Sequence, residues 1–136
     1  MIKAIICDIL GVLTDRRVVN VELINLLIDS KGIYKKLIIY SNLSEKSIES
    51  FKMKVPEFFN IVDKQYDASN FKYYKPSSKG LEEILNEFNL KPEEVIFIDD
   101  NQTNVQEAQK LGIRTILYYN SEDISTLKTL LDVSKR

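Results

Sequence analysis

Three apolar runs of the sequence each end in polar side chains that can do chemistry. They end in Asp8, in Ser41-Asn42 and in Asp99-Asp100. A fourth polar residue, Lys75, lies on a loop just before a predicted helix. An apolar run that ends in an acid is typical of a buried strand that delivers a carboxylate to a turn. These types of residue indicate a site that holds a divalent cation together with an anion.

The chemistry that such a set supports is phosphoryl transfer. Asp8 and the acidic pair offer hard oxygen ligands for Mg²⁺, which usually keeps several waters and shares a substrate phosphate. Gly11 lets the backbone pass close to a bound group, and its turn can present N–H donors to phosphate oxygens. The Ser41 hydroxyl and the Lys75 ammonium add donors and positive charge. Asp8 is therefore the predicted nucleophile.

Each of these residues has an ordinary structural explanation when it is taken alone. Lys75 is more often a solvated surface lysine, and Ser41 can simply cap a helix. The acidic pair can be a solvated turn, although two adjacent acids after an apolar strand are costly unless they are paired or bound to metal. The prediction depends on the order of the residues and on the edge that they share.

The elements that position these residues follow from hydrophobic periodicity. Strands are predicted at residues 2–7, 37–40, near 61–62, 95–98 and 113–118. Helices are predicted from residue 18 to about 30, from 44 to about 53, after 75–78, between 101 and 112, and from 121. Gly32 is the predicted left-handed end of the first helix, and Pro56 is predicted to break the second. Ser44 and Asn101 are predicted N-caps.

Strands that alternate with amphipathic helices predict an α/β domain with a parallel sheet covered on both faces. In such sheets sites form beyond the carboxyl ends of the strands, near the point where strand order reverses. The 136 residues suit one domain that spans residues 1–136. The strand ends named above therefore meet in one place.

Composition excludes several classes of function. The net charge of −1 gives no reason to expect binding to nucleic acid or to a membrane. The absence of histidine excludes serine–histidine and cysteine–histidine catalysis. One cysteine, Cys7, cannot form an internal disulfide and is expected to be a core thiol. No apolar segment approaches the ~18 residues of a membrane span, and the N-terminus lacks a signal-peptide pattern, so a cytoplasmic location is expected.

The order of these motifs resembles the haloacid dehalogenase-like (HAD) hydrolase superfamily. Its four motifs are a strand-end Asp, a strand-end Ser or Thr, a Lys and a strand-end acidic pair. The longest similar stretch runs from Lys75-Pro76 to Ile98-Asp99-Asp100-Asn101 and on to Leu111-Gly112-Ile113. It is similar to subfamily I, whose other members usually carry a helical cap. The resemblance implies a three-layer Rossmann-like fold with strand order 5-4-1-2-3.

The resemblance also implies roles for individual residues. Asp8 would form an aspartyl-phosphate, and Mg²⁺ would be held by Asp8, the Leu10 backbone carbonyl and Asp100. Asp99 would be a further ligand or would support one, and Asn104 would support the acidic loop. The phosphoryl oxygens would be bound by Gly11, Ser41, Asn42 and Lys75. The substrate would be a phosphorylated small molecule or a macromolecular phosphate ester.

The chain departs from the superfamily at two points. Leu10 stands where phosphatases of the superfamily usually have a second Asp, which protonates the leaving group and then activates water. General acid–base help is worth about 10²–10⁴-fold in rate. The segments around Ser41 are also too short to hold a cap, so the site is expected to be open. A monomer, or a homo-oligomer in which a neighbouring subunit covers the site, is expected.

These departures leave three functions open. The first is a Mg²⁺-dependent phosphohydrolase of low rate or restricted substrate. The second is a catalytically silent binding or regulatory module that keeps the fold. The third is hydrolysis of a carbon–halogen or carbon–phosphorus bond on the same nucleophile. The dehalogenases of this superfamily need no metal, so the retained Asp99-Asp100 pair argues against a dehalogenase.

Overall fold

Five short strands pair in parallel to form the single sheet of the computed structural model, which describes residues 1–134. The strands are β1 (Ala4–Cys7), β2 (Lys36–Tyr40), β3 (Lys64–Tyr66), β4 (Val95–Asp99) and β5 (Arg114–Leu117). Their order across the sheet is β3-β2-β1-β4-β5. This is the predicted order read from the other edge, so the predicted topology is confirmed.

Helices cover both faces of the sheet and complete three layers. The helices are α1 (Val21–Asp29), α2 (Lys31–Tyr34), α3 (Glu45–Lys54), α4 (Pro56–Ile61), α5 (Ser78–Glu87), α6 (Gln102–Lys110) and α7 (Ser121–Ser134). Successive side chains of a strand point to opposite faces. Ile5 and Cys7 accordingly pack with α1–α4 and α7, whereas Ala4 and Ile6 pack with α5 and α6. Cys7 is a fully buried core thiol. None of the described helices is long and apolar enough to cross a membrane.

The register of the three central strands brings the predicted polar residues to one edge. Cys7 of β1 lies opposite Ile39 of β2 and Ile98 of β4. The backbone N–H of Asp8 then donates to the carbonyl of Ile98 at 3.0 Å. The residues that follow each strand therefore leave the sheet side by side, as the parallel arrangement predicts.

Four local predictions differ from the structure. The first helix begins at Val21 because the Asn20 side chain accepts from the Leu23 N–H and caps it. Gly32 does not end that helix: α1 ends at Asp29 and Gly32 lies inside α2, after which Lys35 has a positive φ of 68°. The remaining two differences concern Pro56 and the third strand. The second helix ends before Pro56 as predicted, but Pro56 also begins a further helix, α4, where its missing N–H costs nothing. The third strand starts at Lys64, since residues 56–61 form α4.

Polar caps fix the ends of the helices that lead away from the site. The Ser44 hydroxyl accepts from the Ser47 N–H and begins α3, and the Asn101 side chain accepts from the Asn104 N–H and begins α6. Both caps were predicted from the sequence and are confirmed. Gly112 follows α6 with φ of 87°, as its predicted terminating role requires. A turn of 3₁₀ helix, Pro92–Glu94, leads into β4.

Candidate active site

A cavity of about 260 Å³ opens at the carboxyl edge of the sheet, and we call it the Asp8 cavity. Seven of the predicted site residues line it: Asp8, Leu10, Ser41, Asn42, Lys75, Asp100 and Asn104. Two predicted residues, Gly11 and Asp99, lie beside the cavity without lining it. The structure thus brings the predicted residues together from four separate stretches of the chain.

Lys75 is the central cation of this cluster. Its ammonium lies 3.0 Å from Oδ1 of Asp8 and 2.6 Å from Oδ2 of Asp99, and the side chain is almost fully buried. Burial alone would lower the pKa of Lys75, but the two carboxylates outweigh it and the pKa is raised. Lys75 is therefore a permanent positive charge inside the site. The alternative interpretation of Lys75 as a solvated surface lysine is wrong.

Asp99 is held on both of its oxygens by the protein. Oδ2 accepts from Lys75 and, at 3.2 Å, from the Asn104 amide, and Oδ1 accepts from the Asn101 backbone N–H at 2.9 Å. The residue is completely buried. Asp99 consequently fixes the Lys75 ammonium, and Asn104 fixes Asp99. Asn104, which was predicted to support the acidic loop, therefore contacts that loop directly.

The Asp8 carboxylate has a raised pKa. Burial, and then the nearby Asp99 charge, raise the pKa of Asp8 to about 6, and the Lys75 ammonium opposes this rise. One carboxylate oxygen pairs with Lys75, and the residue lines the cavity. Asp8 is thus a poorly solvated carboxylate that is ionised above pH 6 and open to a ligand. These are the properties that a carboxylate nucleophile needs.

Asp100 and Gly11 fit against each other. Gly11 has φ of 86°, and a Cβ atom built on it would overlap the Asp100 carboxylate. The absence of a side chain at residue 11 therefore makes room for the Asp100 carboxylate. The sequence did not indicate this packing of Gly11 against Asp100. The pKa of Asp100 is raised, first by burial and then by the Asp99 charge. Close packing against Gly11 directs this exposed residue toward the other acids.

The three acids form an oxygen cluster that fits a divalent cation. Asp8, Asp99 and Asp100 each offer an oxygen, and these atoms all lie within 4.8 Å of one another. Hydrogen bonds within the turn after Asp8 use the carbonyls of Ile9 and Thr14, and none of these bonds uses the Leu10 carbonyl. Hard oxygen donors of this kind suit Mg²⁺ better than softer metals. Because the oxygens of Asp99 already accept from the protein, Asp8 and Asp100 are the more available ligands.

Two residues that position Lys75 were not assigned that role from the sequence. The Asn42 side chain accepts from the Lys75 N–H at 2.8 Å and donates to the Lys75 carbonyl at 2.9 Å. The Lys75 ammonium also lies 5.5 Å above the Tyr40 ring, and the Tyr40 hydroxyl donates to the Tyr73 carbonyl at 2.7 Å. Asn42, predicted as a phosphate ligand, therefore holds the backbone of Lys75 in place. Hydrogen bonds across such a sequence distance leave no signal in a local pattern.

Ser41 presents its hydroxyl to the cavity. The Leu43 N–H donates to the Ser41 Oγ at 3.1 Å, which leaves the hydroxyl proton free of that bond. Ser41 does not cap α3, because Ser44 does. The capping explanation of Ser41 is therefore wrong. A buried hydroxyl that lines the same cavity as a lysine is suited to donate to an anion bound there.

Comparison with known proteins identifies the family. A sequence profile of the family described as haloacid dehalogenase-like hydrolase matches residues 22–118, which include Ser41, Lys75 and the acidic pair but not Asp8. The fold is similar to that of a HAD family enzyme from Bacteroides thetaiotaomicron in complex with magnesium and inorganic phosphate. That structure has a TM-score of 0.76 and is 18% identical, over 93% of this chain and 99% of that one.

Two curated proteins share part of the sequence. Pyrophosphatase PpaX from Halalkalibacterium halodurans is 26% identical over 60% of this chain, and drimenol cyclase drtB from Aspergillus calidoustus is 27% identical over 62%. The matched segments cover 37% of the pyrophosphatase and 16% of the cyclase, so this chain spans well under half the length of either relative. The family match extends over most of this chain, and the sheet has the strand order expected for that family. The chain belongs to the haloacid dehalogenase-like hydrolase family.

Proposed function

We propose that this protein is a Mg²⁺-dependent phosphohydrolase that works through Asp8. The observation that carries the proposal is the Lys75 ammonium, buried between Asp8 and Asp99 at the wall of an open cavity. Structural roles alone do not account for this cluster, because three acids gathered around one lysine leave excess negative charge. A divalent cation balances that charge, and with the cation bound the cavity can accept a phosphoryl group next to Lys75 and Ser41.

The protein's own residues supply most of the chemistry. An Asp8 oxygen attacks phosphorus, the bond from phosphorus to the leaving-group oxygen breaks, and the leaving group departs with that electron pair. Lys75 and Ser41 donate to the phosphoryl oxygens. Water then attacks the aspartyl-phosphate and releases inorganic phosphate, restoring Asp8. A Mg²⁺ ion would be held by Asp8, Asp100 and the Leu10 carbonyl, with Asp99 nearby, and would supply charge neutralisation for the phosphoryl group.

Leu10 restricts which substrates can react. Its side chain cannot protonate the leaving group, so the leaving group must depart as a stable anion. Phosphoanhydrides, acyl phosphates and aryl phosphates meet this condition, whereas simple alkyl esters do not. The partial similarity to a pyrophosphatase, whose name indicates a phosphoanhydride substrate, supports a substrate with such a leaving group.

A series of aryl phosphates tests this proposal. The series varies the pKa of the phenol, and kcat/KM is measured with Mg²⁺ for the wild type, for Asp8→Asn and for Leu10→Asp. We expect a steep dependence on the phenol pKa for the wild type and no turnover for Asp8→Asn. Leu10→Asp should flatten the dependence and raise the rate on the most basic phenol about 10²-fold, since it restores a general acid.

The competing function is a catalytically silent binding module, which the loss of the acid at residue 10 favours. In that case Mg²⁺ and inorganic phosphate still bind, but the wild type and Leu10→Asp hydrolyse no member of the series. Turnover by the wild type that Asp8→Asn abolishes excludes the silent module. Turnover that survives in Asp8→Asn contradicts the proposed nucleophile.

A further inference from the structure

A second cavity, of about 270 Å³, adjoins the Asp8 cavity, and we call it the α3 groove. It lies between the loop after Asp8 and one face of α3. The face presents Ser47, Ser50, Phe51 and Lys54, which recur at the spacing of one side of a helix. The loop contributes Ile9, Leu10, Thr14 and Arg16. The groove is small for a ligand site and suits a group the size of one substituted ring.

The two cavities share a wall. Leu10 and Leu43 line both the Asp8 cavity and the α3 groove. A phosphoryl group held by Lys75 and Ser41 would therefore have its substituent next to these two leucines. In this position Leu10 offers an apolar surface to the leaving group, where an aspartate would offer a proton. Leu10 can therefore contribute to binding, although it cannot act as a general acid.

The groove also carries positive charge. Arg16 extends from the loop and Lys54 from the last turn of α3, and no acidic residue lines the groove. Within residues 1–134, neither cation makes an ion pair. Both are exposed, whereas Phe51, which also lines the groove, is buried. The groove therefore combines apolar side chains with two cations that make no ion pair within residues 1–134.

The loop that carries Arg16 is fixed by its own hydrogen bonds. The Asp15 carboxylate accepts from the Arg17 and Val18 N–H groups at 2.9 and 2.7 Å, and the Thr14 hydroxyl oxygen accepts from the Arg16 N–H at 3.1 Å. Arg16 adopts a left-handed conformation with φ of 81°. A non-glycine residue in that conformation is uncommon. The turn thereby presents Arg16 toward α3.

We infer that the α3 groove binds the leaving group of the substrate, and that this leaving group is a small, largely apolar group with a second anion at its far end. The inference rests on the proposed phosphohydrolase function and specifies its substrate class. The apolar part contacts Leu10, Leu43 and Phe51, and the hydroxyls of Ser47 and Ser50 lie alongside it. The second anion, a carboxylate or a phosphate, pairs with Arg16 and Lys54.

Two aryl phosphates of nearly equal shape test the charge requirement. 4-Carboxyphenyl phosphate carries the second anion, and 4-carbamoylphenyl phosphate replaces it with a neutral amide. We expect the wild type to favour the carboxylate ester about three- to tenfold in kcat/KM, as two partly exposed ion pairs allow. Arg16→Gln and Lys54→Gln should each reduce this ratio, and the double variant should bring it close to one. The two phenols differ slightly in pKa. The dependence of kcat/KM on phenol pKa, measured with the aryl phosphate series, corrects the ratio for this difference.

Matched controls separate this effect from a general loss of positive charge. Arg17→Gln changes the neighbouring arginine and Lys46→Gln changes another exposed lysine of α3, and neither residue lines the groove. Both controls should keep the wild-type ratio. A ratio that is already one in the wild type, or that the controls reduce as much as the groove variants do, overturns the inference.

Binding without turnover tests the groove separately from the chemistry. 4-Hydroxybenzoate and 4-hydroxybenzamide are titrated into Mg²⁺-free protein, and the amide resonances of Ser47 and Ser50 are followed by NMR. We expect shifts with the carboxylate that Arg16→Gln weakens, and smaller shifts with the amide. Failure of all aryl phosphates to react, with these shifts present, rejects the phosphohydrolase and keeps the groove. Turnover without these shifts rejects the groove alone.

Discussion

The Asp8 cavity and the α3 groove share two leucines but differ in how their charges are held. In the Asp8 cavity, Lys75 and Asp99 are buried and contact each other directly. In the groove, Arg16 and Lys54 are exposed and unpaired within the described residues. A buried, paired charge supports the fold as well as the chemistry, whereas an exposed one is available to a ligand. Substitutions in the two regions should therefore separate stability from selectivity.

Replacing Lys75 should have the largest effect on stability. Lys75→Met leaves Asp99 completely buried without a cation, and breaking a buried pair in this way costs about 3–5 kcal/mol. Urea unfolding without metal measures the loss. Lys64→Met is the matched control, because Lys64 pairs with Glu87 at 2.7 Å on the surface, and it should cost less than about 1 kcal/mol. Equal losses in the two variants would show that the Lys75 cluster is not a structural unit.

Replacing Asp8 should stabilise the metal-free protein. The folded-state pKa of Asp8 is about 6, above its ordinary value of 3.8, so ionisation of Asp8 disfavours the folded state. This penalty is fully present above pH 6 and disappears as the pH falls toward 4. Asp8→Asn removes it and should add ~1–3 kcal/mol to the free energy of unfolding at pH 7.5.

The increase in the free energy of unfolding should depend on pH and on Mg²⁺ if it comes from the charge of Asp8. The difference between Asp8→Asn and the wild type should shrink when unfolding is measured at pH 5 and then at pH 4. Millimolar Mg²⁺ should stabilise the wild type more than the variant, because it binds the ionised carboxylate. A variant that is less stable than the wild type at pH 7.5 without metal would show that the Asp8–Lys75 pair outweighs burial.

Glycine substitutions distinguish backbone strain from displacement of Asp100. Gly11 and Gly112 have φ of 86° and 87°, so alanine should cost each about 1 kcal/mol in backbone strain. A Cβ at Gly112 meets nothing closer than Pro92 at 3.8 Å, whereas one at Gly11 overlaps the Asp100 carboxylate. Gly11→Ala should therefore also weaken Mg²⁺ binding, measured by calorimetry, and Gly112→Ala should not. Equal Mg²⁺ affinity in the two variants would contradict the role of Gly11 in placing Asp100.

Substitutions in the groove should have the smallest effect on stability. Arg16→Gln and Lys54→Gln remove exposed charges that make no ion pair among the described residues, so the free energy of unfolding should change by less than about 0.5 kcal/mol. The same urea titrations measure it. A larger loss in either variant would mean that the groove cations support the fold, and the contrast between the two regions would fail.

The sequence predicted the sheet and most of the Asp8 cavity because both depend on local patterns. Apolar runs that end in Asp8 and in Asp99-Asp100 mark strand ends, and parallel pairing brings such ends together. The third strand was misplaced because it has three residues, too few for a periodicity, and comes directly after a short helix. Local patterns therefore identify long elements, and the polar residues at their ends, better than they identify short elements.

The α3 groove was not predicted, for a different reason. Its face of α3 shows helical spacing at Ser47, Ser50, Phe51 and Lys54, but an exposed polar face is ordinary for a helix. Its significance depends on Arg16, which the turn after Asp8 brings to that face. In the same way, the role of Asn42 depends on hydrogen bonds to Lys75 across 33 positions of sequence. Contacts of this kind exist only in the folded chain.

Trapping the covalent intermediate tests the central claim most directly. The Mg²⁺-loaded protein is mixed with the most reactive aryl phosphate, quenched in acid within the first turnover, and analysed by mass spectrometry of its peptides. We predict one added phosphoryl group, located on Asp8 and absent from Asp8→Asn, with Lys46→Gln labelled like the wild type. Turnover with no label on Asp8, or with the label on another residue, would contradict the account.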